Sequence, residues 1–115
     1  MKILFLLNDA PYGSDKNYNA LRTAIQLQKQ DPNIKIWVYL MSDSVTGALP
    51  GQKEKTGQYN IGEMLASIVN QGGEVKLCTS CVESRGVSSV IPEAVVGTLS
   101  DLTQWIVEAD KTLTF

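Results

Sequence analysis

There is no histidine anywhere in this sequence. That absence removes Ser-His-Asp and Cys-His nucleophile pairs, an imidazole general base and every histidine metal ligand. Cysteine is nearly as scarce, with Cys78 and Cys81 alone. One chain therefore assembles neither a four-cysteine zinc site nor one of two cysteines and two histidines, and no metal is expected. Charge of one sign is missing too. A formal net charge of -2 leaves no basic footprint, which speaks against nucleic acid and against an anionic membrane surface as partners. No window approaches the roughly 18 apolar residues of a membrane span.

What is present is ordinary for a soluble globular chain: 43% hydrophobic and 19% charged residues, in a length of 115 that suits one domain covering residues 1–115. The apolar run Met1–Leu7 is too short for a signal-peptide core and meets Asn8-Asp9 where small residues would be needed for cleavage. It reads instead as a first strand. The expected location is the cytoplasm, where thiols stay reduced and a structural disulfide is not expected.

Strand and helix patterns alternate along the chain. Lys2–Leu7 is a near-continuous apolar run of the kind buried on both faces of a parallel sheet, and Lys35–Met41 reads as a second strand by its β-branched and aromatic content. Asn8–Ser14 is a loop, and a helix follows from about Asp15 to Gln30, with Tyr18, Leu21, Ala24, Ile25 and Leu27 inward. Ser42–Leu49 suits a short helix or turn, and polar Pro50–Tyr59, with Lys53, Glu54 and Lys55 as a solvated run, is the expected mobile loop. Asn60 and Glu63 hold capping-box positions before Ile61, Met64, Leu65, Ile68 and Val69, and Gly72-Gly73 ends that helix. Glu74–Leu77 is a third strand, residues 79–85 a helical start that Gly86 stops, and Val87–Val96 fits no single pattern. Thr98 and Asp101 form a second capping-box pair before a helix from Leu99 to about Ala109, and Lys111–Phe115 is a last strand. This alternation predicts a mostly parallel sheet covered on both faces, with ligand sites at the carboxyl ends of strands. Trp37 and Trp105 are read as core or interface aromatics rather than a cofactor box.

Two segments fall at such ends. Cys78-Thr-Ser-Cys81 is a C-x-x-C, which in an intracellular α/β chain points to redox or sulfur chemistry. A cysteine between a strand and a helix sees backbone N–H groups that favour thiolate, and Arg85 adds positive charge if the segment folds back. Two buried, inert thiols are the competing reading. The surroundings lack the Trp-Cys-Gly-Pro context of a thioredoxin site. Asn8–Ser14 precedes a helix N-terminus where an anion can bind, but its single glycine matches no phosphate-loop motif, and an ordinary connection reads as well.

Taken in order, Asn8-Asp9-Ala10-Pro11-Tyr12-Gly13-Ser14, Leu40-Met41-Ser42-Asp43, Gly51-Gln52-Lys53, Tyr59-Asn60-Ile61, Val75-Lys76-Leu77-Cys78-x-x-Cys81, Arg85-Gly86 and Ala109-Asp110-Lys111-x-Leu113-Thr114-Phe115 resemble the DsrE/DsrF family nearly end to end. The resemblance implies a three-layer α/β/α sandwich around a mainly parallel sheet of about five strands. It also implies a homo-oligomer, a trimer or a hexamer of two trimers. In the family's sulfur-relay members a cysteine carries a persulfide and passes its terminal sulfur to another protein. Their Cys-x6-Arg-Gly pattern falls on Cys78, Arg85 and Gly86 here. Cys81 departs from that pattern and leaves room for a Cys78–Cys81 disulfide that resolves a persulfide. Sulfur donor and acceptor proteins are the implied partners, and no cofactor is implied. A cysteine on a surface loop would be open to water and small thiols, so protomers facing a shared cleft would shield it, with Asp9, Tyr12 and Arg85 as candidate lining. A non-catalytic oligomeric binding module and a Cys78/Cys81 dithiol redox switch are the alternatives.

Overall fold

Side chains alternate between two cores along three adjacent strands. The computed structural model describes residues 1–54 and 59–115. Strand β1 (Lys2–Leu7) sends Ile3, Phe5 and Leu7 to one face and Leu4 to the other; β2 (Lys35–Leu40) sends Ile36, Val38 and Leu40 one way, and Trp37 and Tyr39 the other. Strand β3 (Glu74–Cys78) divides Val75 and Leu77 from Cys78. This is the two-residue period of a sheet buried on both sides. With β4 (Ala94–Gly97) and β5 (Lys111–Thr114), the strand order is β4-β3-β2-β1-β5, and all four pairings are parallel.

The larger core packs under helix α1 (Lys16–Gln30), through Ala20, Leu21 and Ala24, and under α2 (Ile61–Asn70), through Ile61, Leu65 and Ile68. The 3₁₀ segment Ser42–Ala48 adds Val45 and Ala48. Helix α1 buries Asn17 and Ala20 more fully than the predicted Tyr18, Ile25 and Leu27, which are half-buried at its margin. The Asn17 amide is kept there because it donates to the Asp9 carbonyl at 3.0 Å, tying the loop after β1 to the helix.

The opposite face is narrower. Helix α4 (Leu99–Glu108) lays Leu102 and Trp105 over Leu4, Trp37, Tyr39 and Cys78. Trp37 and Trp105 stack with centroids 4.9 Å apart, and Tyr39 meets Trp105 edge-on. The Thr98–Asp101 capping box forms in full, whereas at α2 the Asn60 side chain accepts from the Glu63 N–H and its amide donates to the Gln52 and Glu54 carbonyls. Val87–Val96, ambiguous as a pattern, runs without regular structure until Ala94 and then pairs as an edge strand. Lys53 and Glu54 of the expected mobile loop are exposed; residues 55–58 of it, Lys55 included, lie outside the described residues. Among the described residues no helix is long and apolar enough to cross a membrane.

Candidate functional site

Cys78 is the last residue of β3 and also the N-cap of α3 (Thr79–Ser84). Far from opening onto a loop, it is 7% exposed within a single chain, because α4 closes over the face to which it points. The expectation of a cysteine in need of shielding by a neighbour is corrected on this point. The segment from Cys78 to Gly86 is a short helix, with Gly86 ending it at φ 63. Glycine suits that left-handed turn.

The Cys78 sulfur lies 3.3 Å from the Ser80 hydroxyl. Burial alone raises the energy of its thiolate. Hydrogen bonds from the Cys81 and Ser80 side chains and from the backbone N–H groups of both residues outweigh that burial, and the Cys78 thiol is pushed below the ordinary thiol value. Cys81 goes the other way. Its burial and its contact with Cys78 push it up, although the Ser42 N–H opposes the shift. Cys78 is thus the more acidic thiol of the pair and Cys81 the less acidic. Both are free thiols.

Three further contacts build the corner. The Ser42 N–H donates to the Cys81 sulfur at 3.2 Å, from a residue at φ 53 that is not glycine. Arg85 does not reach back to add charge at Cys78. Its Nε donates to an Asp43 carboxylate oxygen at 2.9 Å, and its Nη1 donates to the Cys81 carbonyl at 3.3 Å and to the Ser84 hydroxyl at 3.0 Å. The Thr79 hydroxyl donates to the Gly97 carbonyl, and the Tyr39 hydroxyl to the Thr98 carbonyl at 2.7 Å, so β4 and the start of α4 are stitched to the same place. Burial, then the nearby Cys78, pushes Tyr39 up to about 12.

Cys78, Cys81, Arg85 and Gly86 therefore share one corner, and Asp9 and Tyr12 do not. They follow β1, two strands from β3, or about 10 Å at ordinary strand spacing. The Asp9 carboxylate accepts from the Ser14 hydroxyl, the main cause of its lowered pKa. Tyr12 donates to Gln52 Oε1 and accepts from the Ile61 N–H at 3.0 Å, and burial raises its pKa. Tyr12 lines a separate depression of about 450 Å³ with Tyr18, Glu54 and Tyr59. Ser42, Asp43 and Ser80 were not singled out as chemical residues. The signal was available for Ser42 and Asp43, which follow the strand beside β3 within one of the matching strings.

Residues 1–115 match the family model described as the DsrE/DsrF-like family. The chain belongs to that family. It is 47% identical over 116 residues to protein YchN of Escherichia coli strain K12, covering 99% of this chain and 98% of that one. It is 33% identical to protein MK0008 of Methanopyrus kandleri, over 98% of this chain and 93% of the relative. The crystal structure of the E. coli YchN protein superposes with a TM-score of 0.93 at 46% identity, covering 100% and 99% of the two chains. Protein MTH1491 of Methanobacterium thermoautotrophicum, at 11% identity and a TM-score of 0.77 over 99% and 98%, shares the fold. The DsrE/DsrF-like sandwich is thus this chain's architecture, with a wholly parallel five-stranded sheet and helices on both faces.

Proposed function

We propose that this DsrE/DsrF-like chain is a sulfur carrier in which Cys78 accepts sulfane sulfur as a persulfide and hands it to an acceptor protein. The observation that carries the reading is the Cys78 sulfur at the end of β3, within hydrogen-bond reach of the Ser80 hydroxyl and with its pKa held below the ordinary thiol value. In loading, that thiolate attacks the outer sulfur of a donor persulfide and the donor leaves as its own thiolate. In delivery, an acceptor thiolate attacks the terminal sulfur and Cys78 leaves as thiolate. Neither step needs a cofactor. Arg85 acts by position: with Asp43 it holds α3 against the 3₁₀ segment.

The working unit in this proposal is a homo-oligomer, trimer or hexamer, in the cytoplasm. Val95 and Val96 on edge strand β4, and Leu99, Ile106 and Val107 on α4, are exposed apolar residues that support such packing. Asp9 and Tyr12 would then contribute from a neighbouring protomer. The test is intact mass after exposure to a sulfane-sulfur donor. A Cys81→Ser chain should gain the mass of one sulfur atom, and a Cys78→Ser chain should gain none at position 81.

One observation favours a non-catalytic binding module instead, the low exposure of Cys78. On that reading its alkylation at neutral pH is slow, as for a packed neutral thiol.

A further inference from the structure

Cys81 has its own apparatus. The Ser42 backbone stands in the left-handed region, at φ 53, where a side chain costs roughly 1–2 kcal/mol. That conformation accompanies an N–H aimed at the Cys81 sulfur, 3.2 Å away. The Arg85–Asp43 pair and the Arg85 bond to the Cys81 carbonyl hold the same two segments together. Strain retained at one residue beside a reactive group is a pointer to function. Cys81 is half-buried, three residues along from Cys78, and packs against the core cluster that holds Cys78. Residues so spaced bring their Cβ atoms within about 5–6 Å, close to disulfide range.

We infer that Cys81 is a resolving cysteine, held by the Ser42 N–H, that releases the sulfur carried by Cys78 as sulfide when no acceptor takes it. The inference rests on the carrier reading above and gives that site a second outcome. The Cys81 sulfur, as thiolate, attacks the Cys78 sulfur. The persulfide S–S bond breaks, the Cys78–Cys81 bond forms, and the terminal sulfur leaves as hydrosulfide with the proton from Cys81. The leaving sulfur is reduced from sulfane to sulfide, and the two cysteine sulfurs are oxidised to a disulfide. Electrons balance within the chain, so no outside oxidant is required. The N–H of Ser42 points at the attacking sulfur and favours its thiolate form.

The experiment loads the full chain with inorganic polysulfide without oxygen, removes the excess rapidly, and follows intact mass and free sulfide. Wild type should lose its extra sulfur, end two hydrogens lighter than the reduced chain, and release one equivalent of sulfide. Cys81→Ser and Cys81→Ala should both keep the extra sulfur and release none. If wild type holds its persulfide as long as those variants and forms no internal disulfide, the resolving role is overturned and the carrier reading stands. If no chain takes up sulfur, the carrier reading fails, and this inference fails with it.

Discussion

The backbone N–H of Ser42 donates to the sulfur of Cys81 across 3.2 Å, joining the carboxyl end of β2 to the first turn of α3. The bond depends on a left-handed Ser42. A Ser42→Gly change keeps the N–H and removes the side-chain penalty, so it should leave stability unchanged or raise it by about 1 kcal/mol. Ser42→Val places a β-branched residue where it is a genuine outlier and should cost at least about 1–2 kcal/mol. Denaturant titration of both variants checks this. Equal stability in the two would contradict the local geometry.

The lowered pKa of Cys78 makes a prediction about pH. Thiolate is the reactive form. A thiol held below its ordinary value keeps its reactivity to lower pH than a free thiol does, and loses it as pH falls through that lowered value. Site-resolved alkylation by iodoacetamide should therefore show a midpoint for Cys78 below that of a free thiol. Cys81→Ala removes a side-chain donor to Cys78 and should move the midpoint up. Arg85→Ala should leave it in place, since Arg85 contacts Asp43, Ser84 and the Cys81 carbonyl. A midpoint that follows Arg85 would restore the direct electrostatic role expected of Arg85 if the segment folded back onto Cys78.

Tyr39 supplies an alkaline test of the narrow core. Its folded pKa is raised to about 12, from the ordinary tyrosine value of about 10. The fold thus binds this proton more tightly than the unfolded chain does. The associated stability is fully present below pH 10 and is lost as pH rises through 10 towards 12, by about 2–3 kcal/mol in all. Tyr39→Phe loses the hydrogen bond to the Thr98 carbonyl, about 1 kcal/mol at neutral pH, but should remove that part of the alkaline loss. Stability against pH for both chains, from neutral to strongly alkaline, measures the difference.

Much of the fold was legible because its determinants are local. Apolar runs marked β1 and β2, and Thr98 with Asp101 marked the start of α4 in a box that forms in full. Edge strand β4 was not legible. Its four residues pair with β3 alone and leave Val95 and Val96 exposed, so little burial imposes a pattern on Val87–Val96. At the site, spacing placed Cys78 at a strand end and predicted a lowered thiol pKa there. The backbone N–H groups it named are among the causes of the lowered pKa, but the added charge of Arg85 is not, because the partner of Arg85 is Asp43, 42 residues away in sequence. The burial of Cys78 was hidden for a related reason. It depends on α4, which lies later in the chain and crosses the face that the alternation of β3 gives to Cys78. Asp9 and Tyr12 also end a strand, but strand order puts β2 between them and β3.

The central claim is that the Cys78 sulfur takes up a second sulfur. The most direct measurement is fragment-resolved mass spectrometry of the Cys81→Ser chain after brief exposure to polysulfide, with Cys78→Ser as the control. The account predicts one added sulfur atom located at Cys78, removable by a small thiol, and none in the control. A chain that alkylates readily at Cys78 yet gains no sulfur there would contradict it.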